Sequence, residues 1–114
     1  MREETIQEAV ARALDHAGVR WCHVPNGEHR DMRTARRLKR NGVKAGVPDV
    51  LIFESPPNMP MAVGAALELK TERGRASRVQ QDWLEALRVN LWEVAVVYGV
   101  DEAAAKLREW GYVE

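Results

Sequence analysis

Two acidic side chains and a lysine are spaced so that a single sheet would bring them together. Asp49 follows Pro48 and opens the apolar run Val50-Leu51-Ile52-Phe53, while Glu68 and Lys70 stand two apart in Ala65-Ala66-Leu67-Glu68-Leu69-Lys70. Strand side chains two apart share a face, so Glu68 and Lys70 point one way and Leu67 and Leu69 the other, into apolar packing. Carboxylates on neighbouring strands offer hard oxygen ligands, which suit Mg²⁺ or Mn²⁺ rather than zinc; the backbone carbonyl of Leu69 is a candidate third oxygen. Lys70 would orient an attacking water or stabilise a pentacoordinate transition state. Together these groups are what phosphodiester hydrolysis requires: charge neutralisation at the phosphoryl oxygens, a nucleophilic water and help for the leaving oxygen.

Each residue also has a plain structural reading. A Glu-x-Lys tripeptide is a common accident in a chain with this much glutamate, and such residues usually sit in solvent; Pro-Asp is common at strand entries. The chemical reading gains from Glu68 interrupting an apolar strand beside another acid-bearing strand, an arrangement unfavourable for carboxylates without a cation. In the first helix Glu3 lies only about 20° from the axis of Val10 and of Leu14 at 100° per residue, so it falls on the buried stripe, whereas Glu4 is rotated toward water. There it is either a further metal ligand or a favourable charge at a helix start. Gln80 has capping-box spacing from Ser77 and also tops the face that carries Trp83 and Leu84, aimed at the sheet. His23 and Asn26 flank Pro25, within range of metal-held water or phosphate in the chemical reading and merely structural in the plain one. No nucleophile motif, phosphate-cradling glycine loop or dinucleotide fingerprint is present.

The elements that must position these groups can be read from periodicity. Residues 3–17 form an amphipathic helix with Ile6, Val10, Ala13, Leu14 and Ala17 on one stripe and Gly18 as its stop. A strand is expected over Val19–Val24, a helix over Met32–Arg40 closed by Asn41-Gly42, and strands at 49–53 and 65–70 in an antiparallel hairpin. The hairpin connection holds Pro56, Pro57 and Pro60, which cannot continue a ladder, and is expected to be exposed. After a polar turn at Thr71–Arg75, Ser77 starts a helix; a strand over Trp92–Tyr98 and a helix from about Asp101 to Trp110, capped by Gly111, complete the chain. The order α, β, α, β, β, α, β, α predicts an α/β fold with a mixed central sheet flanked by helices.

At 114 residues the chain is read as a single domain, 1–114. With 46% hydrophobic and 30% charged residues, no signal peptide and no run of membrane-spanning length, a soluble cytoplasmic protein with no membrane partner is expected. Cys22 is the only cysteine, which excludes an intramolecular disulfide and thiolate-rich zinc sites; it is expected to be buried in a strand. The formal charge is zero, so bulk attraction to nucleic acid is excluded. Local charge differs. Arg33, Arg36, Arg37 and Arg40 repeat at the i, i+3, i+4, i+7 spacing of one helical face, and with Lys44 they make a positive stripe suited to a phosphate backbone, or else a solvated helix face.

The ordered set Asn26, Gly42 and Gly46, Val47-Pro48-Asp49, Glu68-Leu69-Lys70 and Gly74-Arg75-x-Ser77-x-x-Gln80-x-x-Trp83-Leu84 resembles the VRR-NUC (virus-type replication-repair nuclease) family, a branch of the PD-(D/E)xK nucleases with a restriction-endonuclease-like fold. The likeness runs from about Glu3 to Trp110. It implies Mg²⁺- or Mn²⁺-dependent DNA cleavage, with Asp49, Glu68 and Lys70 matching the central motif and Gln80 the accompanying helix glutamine. The family's first-helix acid maps to Glu3 through Glu3-x-x-Ile6-Gln7, with Glu4 and Glu8 as alternatives. Where the family often has proline and an acid between serine and glutamine, this chain has Arg78 and Val79. Short stand-alone members resemble phage or bacterial proteins that act as homodimers on branched DNA such as four-way (Holliday) junctions. Other outcomes are a nuclease directed to flaps or ends, and a DNA-binding or assembly module of the same fold without turnover.

Overall fold

The computed structural model describes residues 2–25 and 31–114; Asn26 and the side chain of Glu4 lie outside what it describes. Helix α1 (Glu3–Ala17) is held by Ile6, Val10 and Leu14, each no more than 2% exposed. It stops at Gly18, whose N–H reaches back to the carbonyls of Leu14 at 3.0 Å and Asp15 at 3.1 Å. Ala17, expected on the buried stripe, is exposed, because the last turn overhangs the core. Strand β1 (Trp21–His23) is shorter than expected, and an indole N–H bond from Trp21 to Asp15 Oδ1 at 2.8 Å ties it back to α1. Helix α2 (Met32–Arg40) starts at Asp31, whose side chain accepts from the Thr34 N–H at 2.7 Å, and buries no residue.

Strands β2 (Val50–Ile52) and β3 (Gly64–Lys70) pair antiparallel as expected, with Val50 opposite Leu67 and Ile52 opposite Ala65. Helix α3 (Arg78–Val89) returns the chain so that β4 (Trp92–Tyr98) lies parallel to β3, and α4 (Gly99–Trp110) follows without a break. The sheet order is β1-β2-β3-β4, a mixed sheet with helices on both faces. On one face Val50, Ile52, Leu67, Leu69 and Val97 pack against α1 and against Ala103, Leu107 and Trp110 of α4, burying what the alternation predicts. On the other face α3 covers β4 and buries Leu84.

Two expectations are corrected. Cys22 is exposed, because β1 is an edge strand with little packed over its outer face. The proline-rich connection is not simply exposed: Pro56 is buried, the Asn58 N–H bonds the Trp110 carbonyl at 2.9 Å, and Asn58 Nδ2 bonds the Glu109 carbonyl at 3.1 Å. The loop thus satisfies carbonyls that the end of α4 leaves without helical partners.

Leu91 follows the Asn90 cap of α3 with φ of 71° and is 63% exposed, a left-handed position normally given to glycine. Leu91→Gly is therefore expected to stabilise the protein by about 1 kcal/mol and to raise Tm by about 4 °C or more in a thermal melt. A lower Tm would show that the exposed leucine side chain matters more than its backbone strain.

Candidate metal centre

The centre lies where β2 begins and β3 ends. The ladder between them stops at the Val50–Leu67 pair, and the N–H of Leu69 is taken instead by Asp49 Oδ2 at 2.8 Å. The carbonyl of Asp49 accepts from the Val24 N–H at 2.8 Å and lies 2.9 Å from His23 Nδ1, a contact that makes Nδ1 the donor and leaves Nε2 unprotonated in the neutral ring. Asp49 thus sits one residue before the strand it was expected to open, and backbone on both sides fixes it. Sequence reasoning left the histidine's role open; its ring supports the Asp49 backbone.

Glu68 is on β3 between Leu67 and Leu69, and although charged it is only 2% exposed. Its Oε2 accepts from Gln80 Nε2 at 3.0 Å and faces Lys70 Nζ at 3.5 Å; its Oε1 is buried and has no partner among the described residues. Burial, then the charge and shared hydrogen bond of Asp49, push the Glu68 carboxyl up to about 8, and Lys70 only partly opposes them. In the metal-free protein burial and Asp49 thereby favour the neutral form of Glu68.

Glu3 completes the group: one carboxylate oxygen from each of Glu3, Asp49 and Glu68 lies within 4.8 Å of the others. As a residue Glu3 is exposed, unlike the buried position expected from the helical wheel, because the helix start projects past the sheet and only the side chain reaches back. Glu8 is exposed and outside the cluster. The donor set is all oxygen, and one of its atoms is a buried acceptor that has no partner among the described residues. These residues fit a hard divalent ion.

The two readings of Gln80 prove to be one arrangement. Its Oε1 accepts from the Ser77 N–H at 2.8 Å and its backbone N–H donates to Ser77 Oγ at 3.2 Å, closing a capping box, while its Nε2 reaches Glu68. One amide starts α3 and fixes a carboxylate. One residue escaped the sequence reading except as part of a pattern: the amide of Gln7, one turn beyond Glu3 on the same helix, is buried and, among the described residues, neither its nitrogen nor its oxygen has a partner. Arg33, Arg36, Arg37, Arg40 and Lys44 are exposed on or just after α2 and, among the described residues, none of them forms an ion pair. The Leu69 side chain faces the core, as expected.

Known structures share this fold. A sequence model of the VRR-NUC domain matches residues 1–101. A solved structure described as a VRR_NUC domain protein superposes with a TM-score of 0.77 at 21% identity, covering 99% of this chain and 90% of that one. A second, described as a VRR_NUC domain, gives 0.63 at 18% identity over 93% of this chain and 94% of that one. At these identities the structures attest the fold. No curated protein matches the chain.

Two stability measurements follow. Glu68 has its folded pKa raised, so its contribution is fully present below about 4.5 and is lost as pH rises through about 8. In metal-free protein Tm should fall between about pH 5 and pH 8 and level off above, and Glu68→Gln should flatten that fall; an unchanged slope would contradict the raised carboxyl pKa. Gln7→Met, which removes an unpartnered buried amide at similar volume, should stabilise metal-free protein by about 1–3 kcal/mol in denaturant unfolding, and destabilisation would show that the amide has a partner in solution.

Proposed function

The chain belongs to the VRR-NUC domain family, a family of nuclease domains, and on that premise we propose that residues 1–114 form one Mg²⁺- or Mn²⁺-dependent endonuclease unit that hydrolyses DNA phosphodiester bonds. The observation that carries the reading is the convergence of Glu3, Asp49 and Glu68 within 4.8 Å beside Lys70. Glu3, Asp49, Glu68 and the Leu69 carbonyl would hold the ion. When bound, the ion supplies charge neutralisation at the phosphoryl group and acidifies water.

The chain's own groups do the rest. Asp49 cannot swing away, because its carboxylate is fixed by the Leu69 N–H. Gln80 holds Glu68 in one rotamer through Oε2, leaving Oε1 free to bind. Lys70, its side chain 13% exposed, has an ammonium close enough to share its charge between Glu68 and an incoming phosphate; it would orient the attacking water and stabilise the pentacoordinate charge. The arginine face of α2 with Lys44 would grip the backbone, and Asn26 would join it. A two-fold pair of copies would present two such centres, which suits paired cuts in branched DNA such as a four-way junction. The setting would be the cytoplasm of a bacterial or phage-infected cell.

Purified protein should cut a labelled four-way junction in Mg²⁺ or Mn²⁺ faster than a flap or a plain duplex. Lys70→Ala should lose about 10²–10³ in rate while still binding DNA. Intact DNA after long incubation, or undiminished cutting by Lys70→Ala, defeats the proposal; binding that persists unchanged in Asp49→Ala and in chelator, with no cutting, would mark a module without turnover.

A further inference from the structure

Beyond β3 lies a second set of cations that the arginine stripe does not include. Lys70, Arg73, Arg75 and Arg78 fall within nine residues against the single acid Glu72, in a chain whose formal charge is zero. Arg78 pairs with Asp82 at 3.3 Å across two exposed side chains, a weak contact. Arg73 and Arg75 are exposed and, among the described residues, form no ion pair.

The backbone that carries them is fixed at both ends to the metal centre. At its start the Gly74 N–H bonds the Thr71 carbonyl at 3.0 Å, and the turn folds onto Lys70 so closely that a Cβ at position 74 would lie 3.1 Å from Lys70 Cδ and 3.3 Å from Lys70 Cβ. Position 74 therefore lies on the lysine stem, with Arg73 and Arg75 on either side of it. At its end the turn runs into the Ser77–Gln80 capping box, and Gln80 bonds Glu68 at 3.0 Å. We propose that the turn from Thr71 to Ser77 is a phosphate clamp, in which Arg73 and Arg75 hold the backbone phosphates on either side of the one presented to Glu3, Asp49 and Glu68. The clamp rests on the nuclease reading and gives its substrate a path.

That path would continue toward Lys44. Gly46, with φ of 87°, lies against the first turn of α3: a Cβ there would meet the Val79 side chain and come within 3.0 Å of the Val79 carbonyl carbon. Lys44 stands two residues before Gly46 and Arg78 one before Val79, so a strand held by the clamp would run on toward Lys44. The N-terminus of α3 adds its partial positive charge beside the clamp. A guanidinium fork binds phosphate bidentately, and each contact releases counterions. An acidic peptide would satisfy the arginines but bring no phosphoryl group to the acidic cluster, so the occupant is a nucleic-acid strand.

The test is binding of a fluorescent DNA duplex by anisotropy over a range of salt concentrations, with Ca²⁺ replacing Mg²⁺ so that binding is read without turnover. Arg73→Ala and Arg75→Ala should each weaken binding about tenfold and flatten the plot of log Kobs against log salt by about 0.9 per phosphate lost. Arg75→Lys should keep the slope, and Arg12→Ala, an exposed change on the outer side of α1, should leave both quantities alone. Calorimetric Mn²⁺ binding should not change in any of them. A double Arg73→Ala, Arg75→Ala protein that melts like the wild type yet keeps its affinity and slope overturns the clamp, whatever the protein cuts. If the slopes fall as expected while the wild type never cuts DNA, the clamp stands as a DNA contact and the nuclease reading fails.

Discussion

A carboxylate 2% exposed on an inner strand and facing a second carboxylate cannot hold its charge unaided. The position of Glu68 is the constraint to which the rest of the structure answers. Lys70, at 3.5 Å, is too little compensation: its attraction is outweighed by burial and by Asp49. Buried ionic groups are weak contributors to stability and are strongly destabilising when left half paired. A fold that keeps one carboxylate oxygen from each of three acids within 4.8 Å of the others stores repulsion that a cation would offset.

The same constraint explains why three distant segments meet at one point. Asp49 is placed by β2, Glu68 by β3 and Glu3 by the start of α1, so the cluster exists only when sheet register and helix packing are both correct. Register is enforced from the opposite face. A one-residue slip of β3 against β2 would carry Leu67 and Leu69 out of the core shared with Ile6, Val10 and Leu14. The apolar face thereby sets the aim of the polar one. Gln80 adds a further coupling, since the amide that satisfies the first turn of α3 is the one that orients Glu68, and misplacing the helix would release the carboxylate.

The parts legible in the sequence were those governed by a strict period. Alternation put Glu68 and Lys70 together and Leu67 and Leu69 opposite, and it placed Asp49 at the mouth of β2 because proline cannot sit within a ladder. The mixed sheet followed from element order and the turn residues between strands. What periodicity did not carry was exposure at the margins. A helical wheel treats Glu3 as buried although the helix end projects into solvent, and strand propensity treats Cys22 as buried although its strand is an edge. Nor can a motif show that one side chain serves two partners, as Gln80 does. The partners of Asn58, in the last turn of α4, are fifty residues away in the sequence and have no local signature.

Stability is distributed in keeping with these roles. The acidic cluster rests on β3, buried on both faces from Gly64 to Leu69. Helix α2, by contrast, is nine residues long, buries none of them and carries Arg33, Arg36, Arg37, Lys39 and Arg40. Isolated helices of that length are marginal in water, since propagation over so few residues barely offsets nucleation, and like charges at i, i+3 and i, i+4 work against it. Its Asp31 cap and the basic residues of its last turn, which suit the helix dipole, are the local terms in its favour. Phosphates laid along the arginine face would cancel the repulsion between neighbouring guanidiniums, so under the proposed function the helix would gain order from the same contact that held the strand. Under the proposed function a rigid centre would fix the reacting atoms, and a marginal grip would adjust to the course of the nucleic-acid backbone.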